Sequence, residues 1–419
     1  MTLIGKHTRR GFLGAAGIFG AAALATKARA QETLLDQLME QNQRGQDGGG
    51  FDSASRTVRM PKSTLPTLSP ATVETTEQAI PSYEAIVARG GWPAIPKEPL
   101  RVGRKSAGVV ALRQRLTAGS DLDPNAGQGD IYDTYVEQAV RRFQARHGLT
   151  VDGRVNEATL AAMNVPAQAR LNQLKTNLPR LRAMGSSLPP RFVMCNLPAA
   201  QIETIENGVV VTRHTAIVGK PDRASPDINS RIVEVNFNPF WTVPVSIVRK
   251  DLIPKMQAEP DYLVKQRIRV YDPKGVEVPP GQINWYSQEA VNYRFRQDPG
   301  DFNSMGSIRI NFPSPHGVYM HDTPSKNLFG DDFRFHSSGC VRVQNVRDFV
   351  TWLLAETPNW SRPEVDQAIK SGERKDARMI KPVPLHWVYV TAWATPDGVV
   401  QFRDDIYNRD GLGQVAQRG

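Results

Sequence analysis

The sequence lacks a disulfide framework. Only Cys195 and Cys340 occur in 419 residues, so at most one disulfide can form and the fold must be held together by other means. Two interpretations stay open from the composition: a single structural pair, or one reactive thiol beside one buried thiol. No cysteine lies at the expected cleavage point of the N-terminal leader, which excludes a lipid-anchored lipoprotein.

A convincing membrane span is also missing. The apolar stretch 11–25 is too short and too rich in Ala and Gly. Because basic residues precede it and a small-x-small end follows it, residues 1–30 are predicted to be a signal peptide cut after Ala30. The segment "TRRGFL" resembles the twin-arginine export signal, with an ordinary secretory signal as the alternative. The protein is therefore expected in the periplasm or cell envelope, and not as an integral membrane protein.

Acidic residues are fewer than basic ones, 42 against 52, which gives a net charge of +10. Half of that excess comes from five basic residues among the first thirty, so the rest of the chain is only mildly basic. Such a charge favours an anionic cell-envelope polymer as partner, and nucleic acid is not expected in that compartment. The length exceeds one ordinary core and predicts two or three domains.

Composition and periodicity divide the chain into modules. The mainly β region includes the turn signal Asn207-Gly208. An inserted segment of mixed, Pro-rich sequence is predicted to be a capping subdomain, because long insertions between strands commonly form lids or binding elements. The predicted division is 1–30 signal peptide, 31–80 flexible leader, 81–100 and 166–188 helical scaffold, 101–165 small helical domain, 189–375 mainly β catalytic domain with insertion 250–303, and 376–419 C-terminal segment packing on the scaffold or the catalytic domain.

The helical module has three predicted helices. Apolar residues recur at helical spacing in its first two helices, and Gly148 is expected to end the second. The pattern "AVRRFQARHGLTVDGRVNEATLAAMN" resembles the three-helix peptidoglycan-binding domain found on many cell-wall enzymes. A plain helical spacer is the alternative. A further amphipathic helix is predicted after Cys340, from the apolar stripe Val346, Phe349, Val350, Leu353 and Leu354.

Cys340 lies in "FRFHSSGCVRV", nineteen positions after His321 in "GVYMHDTPSKNLF". A thiol becomes a nucleophile when a histidine removes its proton, and backbone N–H groups can stabilise the oxyanion that forms next. Gly339 permits a tight turn, so the N–H groups of Gly339 and Cys340 are the predicted oxyanion hole.

These two segments resemble the catalytic signature of the L,D-transpeptidases, cysteine enzymes that cross-link bacterial peptidoglycan. "NFNPFWTVPVSI" and the C-terminal "PVPLHWVYVTAWATPDGVVQFRDDIYNRDG" resemble the larger, multidomain members. The resemblance implies an α+β, multidomain protein, with Cys340 as nucleophile and His321 as general base. Ser337, Ser338, Gly339 and Arg342 occupy the other signature positions, and Ser338 stands where many members have a second histidine.

Several supporting roles follow from the same resemblance. The third member of the triad in this family is usually a backbone carbonyl beside the histidine, so Asp322 need not act through its carboxylate. Arg342 either orients the donor's carboxylate or pairs with a nearby acid. Tyr319 and Trp241 are candidate supporting residues, although Trp241 and Phe240 also suit a core. Cys195, in an apolar strand, is interpreted as a small buried hydrophobe.

The resemblance implies an enzyme without a cofactor that forms 3→3 cross-links and releases D-alanine, with peptidoglycan stem peptides as donor and acceptor. It also implies acylation by carbapenems. An L,D-carboxypeptidase or D-amino-acid exchange enzyme, and an enzyme linking an outer-membrane protein to the wall, remain alternatives. Two rivals of other classes are a non-catalytic peptidoglycan-binding protein and a zinc site; the four residues that would hold the zinc are His316, His321, His336 and Cys340.

Overall fold

The computed structural model describes residues 64–126, 129–185 and 187–411. The predicted signal peptide and most of the predicted leader lie outside these residues. Within the described part of the chain, no helix is both long enough and apolar enough to cross a bilayer. The described residues from 64 onward belong to one compact unit.

Helix α1, Pro70–Ala88, corrects the predicted end of the leader at residue 80. Ser69 caps this helix by accepting the backbone N–H of Thr72, and Pro70 occupies its first turn, where a missing N–H costs nothing. Thr72 and Thr76 are buried and bonded, which explains why a Thr-rich segment is ordered despite its polar composition.

The small helical domain consists of α2, Ala107–Ala118, α3, Thr134–Arg146, and α4, Glu157–Met163. Asp133 and Asn156 cap the second and third helices by accepting backbone N–H groups. The three predicted helices and the end of the second before Gly148 are therefore confirmed. Their buried apolar residues form one core of their own, which includes Val109, Leu112, Leu116, Val136, Ala139, Val140 and Phe143.

Helix α5, Ala167–Gly185, runs unbroken through Pro179, where the sequence had predicted an interruption. It packs along α1, and the ion pairs Lys175–Glu84 and Arg182–Glu77 join the two helices at their surface. Tertiary packing along its length offsets the backbone hydrogen bond that a proline removes from a helix interior.

Nine strands form the sheet of the mainly β domain, in the order β10-β3-β11-β9-β8-β4-β12-β1-β2. Strand β2 also pairs with β3, so the sheet closes back on itself. The strands are β1 Arg191–Asn196, β2 Gln201–Glu206, β3 Val209–Gly219, β4 Ile228–Phe237, β8 Ile308–Asn311, β9 Met320–His321, β10 Phe335–Ser337, β11 Val341–Val343 and β12 Lys375–Val388.

Helix α9, Val346–Leu354, follows β11 and fills the largest core. All five residues of the predicted apolar stripe are buried there against the strands. A second helix of the same length, α10, spans Arg362–Lys370 and begins with a capping box formed by Ser361 and Glu364. The mainly β domain with a helix after the cysteine is therefore confirmed.

The insertion has its own small core and its own three-stranded sheet, β5-β7-β6. It begins earlier than the predicted residue 250, because β5 is a strand of this sheet. A π-helical turn, Val248–Leu252, joins the first two short helices. The elements are β5 Trp241–Thr242, α6 Val245–Ile247, α7 Ile253–Ala258, α8 Tyr262–Lys265, β6 Ile268–Tyr271 and β7 Arg294–Gln297.

The predicted boundary at residue 376 falls inside β12, which pairs with both β4 and β1. Residues 375–388 are thus part of the nine-stranded sheet itself. The chain then forms a hairpin of β13, Ala392–Ala394, and β14, Val400–Phe402, that packs against α1 and α5. Arg403 ties this hairpin to the helical domain by donating to the carbonyl oxygen of Arg146 at 2.9 Å.

Candidate active site

Cys340 lies between the end of β10 and the start of β11, and it is partly exposed to solvent. The preceding Gly339 has φ +114°, a conformation that other residues rarely adopt. Two serines hold this turn: Ser225 Oγ donates to the Gly339 carbonyl oxygen at 2.8 Å, and Ser337 Oγ donates to the Cys340 carbonyl oxygen at 2.5 Å. The cysteine therefore occupies a fixed backbone position at the end of a strand.

The backbone N–H of Gly339 donates to Ser337 Oγ at 3.1 Å. This contact corrects the prediction that Gly339 and Cys340 both point their N–H groups at a bound carbonyl oxygen, because the Gly339 donor is already engaged. The Cys340 N–H remains the predicted oxyanion donor.

His321 is buried on β9, which runs parallel to β11, and it pairs with Arg342. Its Nδ1 lies 2.5 Å from the Asp322 carbonyl oxygen. A carbonyl only accepts, so Nδ1 carries the proton and Nε2 keeps the lone pair that a base needs. The histidine is therefore oriented by a backbone carbonyl. The family resemblance implied such a carbonyl as the third member of the catalytic triad.

The Asp322 carboxylate is turned away from the histidine. It accepts the Ser307 N–H and hydroxyl, each at 2.9 Å, and forms an ion pair with Lys326. A β-carbon at Gly306 would lie 2.3 Å from this carboxylate, so the glycine makes room for it. The Asp322 carbonyl oxygen thus contacts His321, whereas its side chain bonds to Ser307 and Lys326.

Side chains alternate between the two faces of a strand. Met320 and Val341 are directly paired, and both point into the core. Their sequence neighbours therefore point to the opposite face, which carries Tyr319, His321, Cys340 and Arg342. The structure therefore brings the predicted nucleophile, the predicted base, the signature arginine and the predicted supporting tyrosine onto one face.

Tyr319 links the cysteine to the insertion. Its hydroxyl is hydrogen-bonded to the Cys340 thiol, and it accepts the indole N–H of Trp241 at 3.2 Å. Trp241 is half-buried and packs against the core of the insertion. Trp241 therefore orients a residue of the site and also joins the insertion's core.

The electrostatics favour a neutral thiol and a neutral imidazole in the resting protein. Burial raises the pKa of Cys340, although Tyr319, Arg309 and Arg342 oppose that rise. Burial, followed by the positive charge of Arg342, lowers the pKa of His321 to about 3. Both pKa shifts favour the uncharged forms of the thiol and the imidazole over a thiolate–imidazolium pair.

Sequence reasoning missed three residues around the site. Arg309 on β8 pairs with His321, on the side opposite Arg342. Arg223 donates to Ser338 Oγ at 3.0 Å and forms a two-point ion pair with Asp251 of the insertion, at 2.5 and 3.0 Å. The alternation in "IRIN" marks Arg309 as outward-facing, but only the strand register shows what it faces.

The remaining candidates lie apart. Among the described residues, no group of three or more His, Cys, Asp or Glu side chains is arranged to hold a metal ion, so His316, His321, His336 and Cys340 do not form one. His336 is exposed, and its Nε2 lies 2.9 Å from the Phe333 carbonyl oxygen. The two cysteines are not bonded to each other.

Two family models match this chain. Residues 190–364 match the L,D-transpeptidase catalytic domain, and residues 105–163 match a domain described as "Putative peptidoglycan binding domain". All the site residues described above fall within the first match.

Two curated proteins are similar to parts of this chain. A protein of Haemophilus influenzae named "Putative L,D-transpeptidase" is 32% identical over 252 residues, which are 59% of this chain and 50% of that protein. A shorter match, 40% identical over 74 residues, covers 16% of this chain and 18% of the N-acetylmuramoyl-L-alanine amidase CwlM of Mycobacterium tuberculosis. The chain thus spans about half the length of the first relative and less than a fifth of the second.

Solved structures similar to this one include the L,D-transpeptidase of Xylanimonas cellulosilytica, with 17% identity, a TM-score of 0.23 and coverage of 71% of this chain and 100% of that chain. Another is the L,D-transpeptidase of Stackebrandtia nassauensis, with 13% identity, a TM-score of 0.26 and coverage of 64% and 93%. On the two family matches, the chain carries an L,D-transpeptidase catalytic domain together with a peptidoglycan-binding-type domain, which confirms the predicted family and the α+β, multidomain fold class.

Proposed function

We propose that this protein is a peptidoglycan L,D-transpeptidase that forms 3→3 cross-links through a thioester on Cys340. One observation carries the proposal: Cys340, His321 and Arg342 share one face of the sheet within the region that matches the catalytic domain. A thiol beside a backbone-oriented imidazole is the arrangement that acyl transfer requires.

In the first half-reaction, Cys340 attacks the carbonyl carbon that joins the third residue of a donor stem to its terminal D-alanine. His321 Nε2 takes the thiol proton and gives it to the leaving amine, while the Cys340 N–H stabilises the oxyanion. The S–C bond forms, the C–N bond breaks, and D-alanine departs. No cofactor takes part in these steps.

In the second half-reaction, an amine on the third residue of a neighbouring stem attacks the thioester. The C–N bond of the cross-link forms and the S–C bond of the thioester breaks, while His321 accepts the proton of the amine and gives it to the departing sulfur of Cys340. Water in place of the amine would make the same site a carboxypeptidase, a free D-amino acid would make it an exchange enzyme, and an amine of an outer-membrane protein would link that protein to the wall.

The peptidoglycan-binding-type domain supports a cell-envelope location and a polymeric wall substrate. We propose that it holds the enzyme on the wall and that residues 1–30 direct export by the twin-arginine route, which would let the fold close around the thiol beforehand. Sedimentation of the protein with purified sacculi, with and without competing peptidoglycan fragments, tests the wall contact.

Incubation with purified tetrapeptide muropeptides, read by mass spectrometry, tests the reaction and its acceptor. We expect cross-linked dimers and free D-alanine from the wild type, and neither from the Cys340→Ala variant. Hydrolysed tripeptide alone would assign the carboxypeptidase, whereas no product from a folded wild type would overturn the proposal in favour of a binding protein.

β-Lactams probe the same thiol, because their strained carbonyl resembles an acyl donor. Brief exposure to a carbapenem should give one covalent adduct in the intact-protein mass spectrum, located by peptide mapping to "FHSSGCVR". Most penicillins should react far less. An adduct on Cys195 would contradict the assignment of the nucleophile.

A further inference from the structure

Two guanidinium groups stand on either side of His321. Arg309 of β8 and Arg342 of β11 each pair directly with His321 of β9. Side chains at directly paired positions lie on the same face of a sheet, about 5 Å apart at their β-carbons. The three strands therefore place a cation, the imidazole and a second cation in one row beside Cys340.

Neither arginine has an acidic partner within residues 64–126, 129–185 and 187–411. No ion pair involves them there, and the Nε of each is buried without a hydrogen-bond partner. The same row of paired residues continues from Arg309 to Asn236 of β4 and then to Asp376 of β12. The Asp376 carboxylate is two strands away from Arg309 and accepts a hydrogen bond from the Asn236 side-chain amide at 2.7 Å.

Arg309 is also held in place, because its guanidinium lies 4.4 Å from the centre of the Tyr319 ring. Such a stack fixes the cation next to the residue that hydrogen-bonds the thiol. Both arginines are partly buried, and partly buried cations without an acidic partner are unfavourable. A ligand that brings a negative charge would offset that cost.

The reaction defines where that charge must be, and this step rests on the proposed function. His321 protonates the leaving nitrogen of the donor's last residue, so that nitrogen must lie at the imidazole. In an α-amino acid the carboxylate is attached to the carbon next to that nitrogen. It therefore falls within reach of the residues flanking His321.

We propose that Arg309 and Arg342 together bind the free C-terminal carboxylate of the donor peptide, with Arg309 as the residue that sets this specificity. The pair selects donors that end one residue beyond the cleaved bond. One additional residue would move the carboxylate by about 3.5 Å, out of the row.

Carboxylate binding should also change the basicity of His321. The positive charges of Arg342 and Arg309 are among the causes that hold the pKa of His321 low in the resting protein. A carboxylate between them cancels part of that charge and raises the pKa of His321. The imidazole thus becomes a better base only when a donor of the correct length is bound.

The test compares a tetrapeptide stem bearing a free C-terminal carboxylate with the same peptide as its C-terminal carboxamide. Binding is measured by calorimetry on the full chain carrying Cys340→Ala, which cannot turn over. We expect the carboxylate peptide to bind about 10- to 100-fold more tightly, the worth of a hydrogen bond to a charged group. Adding Arg309→Met should reduce that ratio towards one, and Arg309→Lys should restore part of it.

Arg378→Met is the matched control, since Arg378 is an exposed arginine of β12 paired with Glu234; it should leave the ratio unchanged. Equal weakening of both peptides by Arg309→Met, or no preference before that change, would overturn the inference. Turnover with the intact cysteine separates the two proposals. A folded enzyme that prefers the carboxylate in binding but releases no D-alanine refutes the proposed function alone, whereas turnover that ignores the carboxylate refutes this inference alone.

Discussion

The two cysteines of this chain lie in opposite kinds of environment. Cys195 is fully buried near the end of β1, between Ile202 of one neighbouring strand and Trp387 of the other. Cys340 is partly exposed at a strand end, beside Tyr319, Arg309 and Arg342. One thiol meets apolar neighbours, and the other meets donors and cations.

Burial raises the pKa of both thiols, so protonation in the resting protein does not distinguish them. The difference lies in what opposes that rise. Burial is the sole cause at Cys195, whereas a hydrogen bond from Tyr319 and two positive charges act against burial at Cys340. Reactivity therefore depends on polar groups that can receive the negative charge, and not on exposure alone.

Removal of the Cys340 thiol should have the largest effect on this comparison. Cys340→Ala and Cys340→Ser should each reduce cross-linking by at least about 10⁴-fold, because neither side chain supplies a thiolate. Circular dichroism should show an unchanged fold. Near-normal turnover of Cys340→Ser would mean that the nucleophile lies elsewhere.

Loss of the base should come next. His321→Ala should lower kcat/KM by about 10²- to 10⁴-fold, the usual contribution of a positioned base, while peptide binding to the variant is retained. The measurement is D-alanine release under single-turnover conditions. A change below tenfold would contradict a direct role of the imidazole in proton transfer.

Tyr319→Phe should sharpen the contrast between the two thiols. Removing the hydroxyl that donates to the sulfur should raise the pKa of Cys340 further, because one of the groups that stabilise the thiolate is lost. Since the thiolate is the form that reacts, alkylation by iodoacetamide should rise with pH in both proteins and reach the same rate at a higher pH in the variant. Peptide mapping gives the rate at each pH.

Cys195 serves as the internal control in that alkylation experiment and should stay unlabelled while the protein is folded. If Cys195 were labelled as fast as Cys340, the proposed difference in reactivity between the two thiols would be wrong, because burial in β1 would not protect Cys195.

Cys195→Ala should have the smallest effect on activity. Cross-linking should change less than twofold, whereas the free energy of unfolding should fall by about 1 kcal/mol because a small cavity opens in the core. Urea denaturation measures the loss. A large fall in activity with unchanged stability would assign Cys195 a role that its apolar surroundings do not suggest.

Local patterns were sufficient for much of this protein. The three helices of the small domain, the amphipathic helix after Cys340 and the pairing of "MHD" with "SSGC" all depend on spacing within short segments. The first part of α1, residues 70–80, was missed because its stability comes from buried threonines whose partners are fixed by tertiary packing. Pro179 was misjudged for a related reason, since packing along α1 keeps α5 continuous.

The sequence by itself determined the family, the nucleophile and base to be tested, and the helical periodicity, because these depend on the identity and spacing of neighbouring residues. Three contacts were decided only by the tertiary structure. Arg309 pairs with His321, and Arg223 bonds to both Asp251 and Ser338. The Ser337 hydroxyl accepts the Gly339 N–H. The first two contacts join residues of different strands or loops, and strand register, which no local pattern encodes, sets which side chains meet.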